Sequence, residues 1–261
     1  MAGFASSSLI ELFKSDAPLL PRDIVSAVEA ESSLATEVDP ETGNTALHYA
    51  CCMAAPLPVV EALLGANKAA ARAEDADGNI PLMGAVANGC PAAVVKALLR
   101  AHPAGARARF GSAGAPPPKP PSRRAAPEGD RRHTLLHSAA CNGASAETVA
   151  ALIAAWPDAT GEVDAEGNTP LHFAAACQAP VAVVRALIDA NPAAAAMRGR
   201  FNRLPLALAL LCEAPPEAVY AIMEANREAM REITISADFR NHGRGVALPL
   251  EQPPSEKGAM A

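Results

Sequence analysis

Residues 164–174 read Asp-Ala-Glu-Gly-Asn-Thr-Pro-Leu-His-Phe-Ala, a polar turn running into the start of a helix. Thr169 is a preferred N-cap residue, and Pro170 suits the first helical position, where a missing N–H costs nothing. A short helix is predicted over 171–177 before Gln178, Ala179 and Pro180 break it. A second helix starts from Pro180. Its Val183, Val184, Leu187 and Ile188 stand at i, i+1, i+4 and i+5, one apolar stripe, and Asn191-Pro192 stops it. The unit is therefore turn, helix, turn, helix.

Moving outward, the same text recurs in segments beginning at Gly43, Gly78, Arg132, Gly167 and Asn202, whose successive starts differ by 35, 54, 35 and 35 residues. A fixed period of this length marks a repeat architecture, and the one exception is a period plus a 19-residue insertion. Two short helices cannot bury their apolar faces alone, so stacked neighbours must do it. Residues 39–106 hold repeats one and two, and 133–235 hold repeats three to five. Residues 1–38 read as a degenerate N-terminal capping repeat, with Leu12-Phe13 at the Leu-His position and Pro21, Ile24, Val25 and Val28 on its second helix. Residues 236–261 read as a partial C-terminal cap and loose tail.

These residues resemble the ankyrin repeat family, whose Asp-x-x-Gly-x-Thr-Pro-Leu-His-x-Ala signature is matched by Asp164, Gly167, Thr169, Pro170, Leu171, His172 and Ala174. Other units depart from it: Ala46 replaces the proline, Ile80 and Met83 the threonine and histidine, and Leu204 and Ala207 do so again in unit five. The resemblance implies an all-α solenoid of stacked helix-turn-helix units with turn or β-hairpin-like fingers. It also implies a structural role for Thr45 with His48, Thr134 with His137, and Thr169 with His172, each imidazole bonding the threonine hydroxyl and tying neighbouring turns together.

Composition fits such a stack. Half the chain is hydrophobic yet only 3% is aromatic, so apolar mass comes from Ala, Leu, Val and Ile, which suits thin helical layers and argues against an all-β fold and base-stacking nucleic-acid modules. The net charge of -6 offers no global attraction to phosphate or anionic lipid. No apolar run is long enough for a membrane span. The N-terminus lacks the basic start of a secretory signal, Ala2 excludes myristoylation, and the six cysteines lie scattered through helical text. An intracellular chain, cytoplasmic or nuclear, is expected.

Chemistry is sparse. His133, His137 and Cys141 stand at i, i+4 and i+8, a zinc-like spacing, but His133 precedes the N-cap Thr134 and Cys141 aligns with Ala87 and Ala176, which marks it as a small packing residue. No nucleophile motif, phosphate-cradling glycine loop or carboxylate pair accompanies the histidines. We therefore expect no enzyme activity, no metal, no cofactor and no small-molecule substrate.

The insertion, placed at 107–132, is Pro/Arg-rich and carries a charge of +5, leaving -11 on the rest; it is expected to be a disordered loop. Within it Pro118, Pro121 and Arg123 fit a Pro-x-x-Pro-x-Arg pattern. The resemblance implies a concave groove, lined by turn tips and first helices, that binds a partner protein. Its candidate residues are Glu41, Thr42, Asp77, Asn79, Asn88, Asn142, Glu166, Asn168, Arg200, Phe201 and Arg203. The expected function is a monomeric, non-enzymatic scaffold or adaptor. The alternatives are a regulatory region or short form of a larger enzyme or channel, or a basic loop that binds nucleic acid or acidic lipid.

Overall fold

The computed structural model describes residues 8–14, 20–110 and 133–227, and in them the 35-residue text resolves into twelve α-helices arranged as six pairs. The pairs are α1 (Leu9–Lys14) with α2 (Pro21–Ala30), α3 (Ala46–Cys52) with α4 (Leu57–Ala66), and α5 (Pro81–Ala87) with α6 (Ala92–Ala101). They continue with α7 (Leu135–Cys141) and α8 (Ala146–Ala155), α9 (Pro170–Ala176) and α10 (Val181–Ala190), and α11 (Pro205–Leu211) and α12 (Pro216–Ala225). From repeat one onward, every first helix has 7 residues and every second helix has 10. Helices this short are unstable alone in water, so packing must hold them.

That packing runs in two rows. First helices contact first helices, from α1 through α3, α5, α7 and α9 to α11, while second helices form a parallel series from α2 to α12. One leucine per first helix is sealed between neighbours: Leu47, Leu82, Leu136, Leu171 and Leu206 are all within 2% of complete burial. The valine pairs Val59/Val60, Val94/Val95 and Val183/Val184 do the same for second helices. Small residues let the rows approach. Ala50, Ala85, Ala139, Ala174 and Ala209, at one position of successive first helices, are all buried. The fold is an all-α solenoid.

After the second helices α2, α4, α6, α8 and α10 the chain makes a 3-10 turn: Ser32–Thr36, Lys68–Arg72, Pro103–Arg107, Pro157–Thr160 and Pro192–Ala196. Asn191 ends α10 and Pro192 opens the next turn, because proline fits a helical first position but cannot continue the preceding helix. The helix-ending Asn67 and Asn226 amides reach back one repeat to donate to the Ala35 and Ala195 carbonyls, at 3.1 and 3.0 Å.

Between repeats stand the fingers, which share one backbone bond across their base. The donors Asp39, Asp75, Phe110, Asp164 and Gly199 pair with the carbonyls of Asn44, Asn79, His133, Asn168 and Arg203, at 2.8 to 3.0 Å. This register places Phe110 where fingers one, two and four have aspartate and His133 where they have asparagine. In sequence, the insertion therefore falls between the two bonded residues of the third finger. Their start also shifts: Arg107 ends a 3-10 helix and Arg109 bridges to Thr134, so 107–110 belong to the repeat framework. The rest of the insertion, with its expected disorder and its Pro118, Pro121 and Arg123 motif, lies outside the described residues, as does 236–261.

Candidate functional site

The first helices are bolted to the fingers by a threonine–histidine device repeated three times. Thr45 caps α3, and its N–H donates to His48 Nδ1 at 3.1 Å, with its hydroxyl at 2.9 Å from the same atom. The opposite ring nitrogen, Nε2, lies 3.0 Å from the Asn79 carbonyl in the next finger. A carbonyl can only accept, so Nε2 carries the proton and Nδ1 is bare. His137 repeats this between Thr134 and the Asn168 carbonyl, and His172 between Thr169 and the Arg203 carbonyl. Burial pushes His137 down from 6.5 to about 4 and lowers His48 and His172 in the same direction. Both ring nitrogens are occupied in each case. These histidines hold structure and have no lone pair left for a metal or a substrate.

The remaining zinc-spaced residue is used otherwise. Cys141 is disulfide-bonded to Cys177, with Cα atoms 5.1 Å apart. Cys141 is thus more than a packing residue, which corrects the reading from its alignment with alanines. The reason is geometric: stacked repeats bring position i beside positions near i+35, and these cysteines are 36 apart. Because disulfides persist in oxidising surroundings, the cysteines lend no support to a reducing compartment. Burial raises the Cys51, Cys52 and Cys90 thiols, the last to about 11, so none is a ready thiolate. Among the described residues no cluster of three or more His, Cys, Asp or Glu is placed to hold a metal, and no helix is long and apolar enough to cross a membrane.

Fingers one, two and four are built on an aspartate that takes the turn's own amides. Asp39 accepts from the Glu41 N–H, Asp75 from those of Asp77 and Asn79, and Asp164 from those of Glu166 and Asn168. Asp39 also accepts from the Thr42 and Tyr49 hydroxyls and pairs with Lys14 Nζ at 2.9 Å, so finger one is anchored to α1. These donors hold its carboxyl well below the usual carboxylate range.

This bracing sorts the candidate tip residues. Glu41, Thr42, Asp77, Asn88 and Asn142 are exposed. Asn168 is not: it is buried, its amide nitrogen donates to Asp164, and its Oδ1 accepts from the Arg200 N–H at 3.0 Å. It builds fingers four and five and is withdrawn from the contact surface. Asn79 likewise spends its amide on Asp75. Glu166, Arg200 and Arg203 are half-buried, whereas Phe201 is 73% exposed. At the C-terminal ends of first helices, Met53, which caps α3, and Leu211, the last residue of α11, present apolar surface at 57% and 43% exposure.

Finger three replaces the aspartate turn with rings. Phe110 stacks on His133 with centroids 4.9 Å apart, and Phe173 lies 6.1 Å beyond. Arg109 pairs with Glu162 at 2.6 Å, and Arg107 and Arg109 stand 5.8 and 5.7 Å from the Trp156 ring. Both roots of the insertion are therefore fixed to repeats two to four. Phe110, a lone aromatic at the edge of the Pro/Arg text, is the sequence signal for this anchor.

Comparison with known proteins agrees with this layout. Residues 123–197 match the family model for ankyrin repeats (3 copies), and 42–73 match that for a single ankyrin repeat. Among solved structures, a chain is similar from the complex of the Bd0816 predatory endopeptidase of Bdellovibrio bacteriovorus with the immunity protein Bd3460. It is 21% identical, the match covers 84% of this chain and 98% of that one, and the TM-score is 0.57. The search of curated proteins gave no match.

Proposed function

The chain is an ankyrin-repeat protein, and from that premise we propose that it is a non-enzymatic scaffold or adaptor holding a partner protein on the face formed by its fingers and first helices. The observation that carries this reading is the division of labour within the fingers. Their backbone amides and buried side chains are satisfied internally, through Asp39, Asp75, Asp164 and the histidine bridges, while Glu41, Thr42, Asp77 and Phe201 project from the braced turns. Rigid presentation lowers the entropy lost on binding. Exposed Met53 and Leu211 add apolar contact at the C-terminal ends of first helices, which suits a protein surface better than a small polar ligand. That the similar solved chain comes from a complex of two proteins is in keeping with such a role.

A double substitution Met53→Glu with Leu211→Glu tests the face. Both side chains are exposed, so helicity and melting should be unchanged, while capture of the partner by the full chain should fall about tenfold or more. Undiminished capture would remove the first-helix face from the binding surface.

A further inference from the structure

The fifth finger is built unlike the others. Gly199 stands where they have aspartate or phenylalanine, and a Cβ there would come within 2.4 Å of Asn168 Oδ1 and 2.9 Å of His172 Nε2. With no aspartate to gather the amides, Asn168 reaches across from finger four to take the Arg200 N–H; the Asn202 N–H bonds the Gly199 carbonyl as Gly43, Gly78 and Gly167 bond theirs, and the Arg203 N–H adds a bond to the Arg200 carbonyl. Fingers one, two and four each use a single left-handed residue, Gly43, Gly78 or Gly167. Finger five uses two in succession, Phe201 at φ 57° and Asn202 at φ 59°. Asparagine tolerates this region; a bulky aromatic rarely enters it.

Among the described residues, the side chain held in that conformation is left 73% exposed. Phe201 is the most exposed large apolar side chain among the described residues. Its visible neighbours are cations: the Arg200 guanidinium lies 4.8 Å and that of Arg203 5.7 Å from the ring centroid, while Arg198 Nη1 donates to the Asn202 carbonyl beneath the turn. Stacking on a ring uses a guanidinium's face and leaves N–H edges suited to grip a carboxylate in a bidentate way. The finger thus combines an apolar plug with three positive charges, in a protein whose net charge is -6. Strain without internal return, exposure and local charge point outward.

We propose that finger five is the docking point for an acidic protein segment in which carboxylates flank an apolar or aromatic residue, the carboxylates taken by Arg200 and Arg203 and the apolar side chain laid on Phe201. This rests on the scaffold reading and names the chemistry of the partner. The acidic tips at Glu41 and Asp77 repel such a segment elsewhere along the finger row and so favour finger five, where Glu166 on the adjoining finger four feels the charge of Arg200 and competes with the segment for it.

The test uses the full chain and two pools of short synthetic peptides, one with Asp and Glu on both sides of a randomised centre, the other with Asn and Gln in their place. The chain should retain the acidic pool about tenfold over the neutral one, enriched for Leu, Ile, Phe or Tyr at the centre, with the preference fading as salt rises. Arg200→Gln with Arg203→Gln, and separately Phe201→Asn, should abolish it. Phe201→Asn should also raise the melting temperature, since asparagine relieves the left-handed strain, so loss of binding there cannot be ascribed to unfolding. Equal retention of the pools, or full retention by both variants, overturns the proposal. Loss in Met53→Glu with Leu211→Glu alone overturns it while leaving the scaffold reading intact. Stronger retention of a single-stranded RNA oligonucleotide than of the acidic pool, or self-association of the chain that Phe201→Asn removes, also overturns it.

Discussion

Leu171→Ala should lower the unfolding free energy by about 2–5 kcal/mol. Leu171 is 1% exposed on α9, whose first-helix neighbours are α7 and α11, so truncation leaves a void shared by two inter-repeat interfaces. Alanine is the stronger helix former, so the loss comes from packing rather than from local helicity. In a linear stack each repeat is held chiefly by its neighbours, and removing one contact layer weakens coupling on both sides. Urea titration followed by circular dichroism should therefore show a lower midpoint, and a broader transition if repeats three to five separate from the rest. Leu211→Ala is the control: that side chain is 43% exposed on α11, and its truncation should cost less than about 0.5 kcal/mol. Equal costs at the two positions would mean that burial in the stack is not what holds these helices.

The layers were legible because their cause is local and periodic. Thr169-Pro170 starts a helix by capping and by a fixed φ, the Val183/Val184/Leu187 stripe gives its neighbour a face, and repetition every 35 residues supplies what each face packs against. The threonine–histidine pairs were legible for the same reason, since their partners lie three residues apart and one repeat away. What escaped sequence reading depends on relations between repeats that are not in register. Cys141 and Cys177 occupy different columns of the alignment, so comparison within columns hid a pair that the diagonal brings together. Asn168 sits at a tip by position, yet the next finger lacks an aspartate and draws its side chain inward. Phe201 was visible as a rare aromatic, but its left-handed backbone, and a Gly199 too close to His172 for a Cβ, show only in the fold.

Acid should weaken the stack from pH 6.5 downward, because the buried histidines take up protons there only on unfolding. His137 is fully buried and its pKa falls from 6.5 to about 4 on folding, so the folded state binds this proton less readily than the unfolded state. Its stabilising contribution is thus complete above pH 6.5, declines as pH drops from 6.5 toward 4, and is exhausted below about 4, a loss of roughly 3 kcal/mol. The structural cause is specific. A proton added to Nδ1 would face the Thr134 N–H, donor against donor, and break the cap that starts α7 while Nε2 still holds the Asn168 carbonyl. His48 and His172 shift in the same direction and add to the effect at the first and fourth fingers. Asp39 acts in a different window: its carboxyl is held well below 3.8, so its share is present above that value and lost only under stronger acid. His137→Gln separates these contributions, since glutamine can complete the capping box with Thr134 but cannot titrate. The variant should start less stable, for want of the bridge to Asn168, and lose less stability than the parent chain between pH 6.5 and 4 in urea titrations. The same pH slope in both proteins would transfer the acid sensitivity from His137 to other groups.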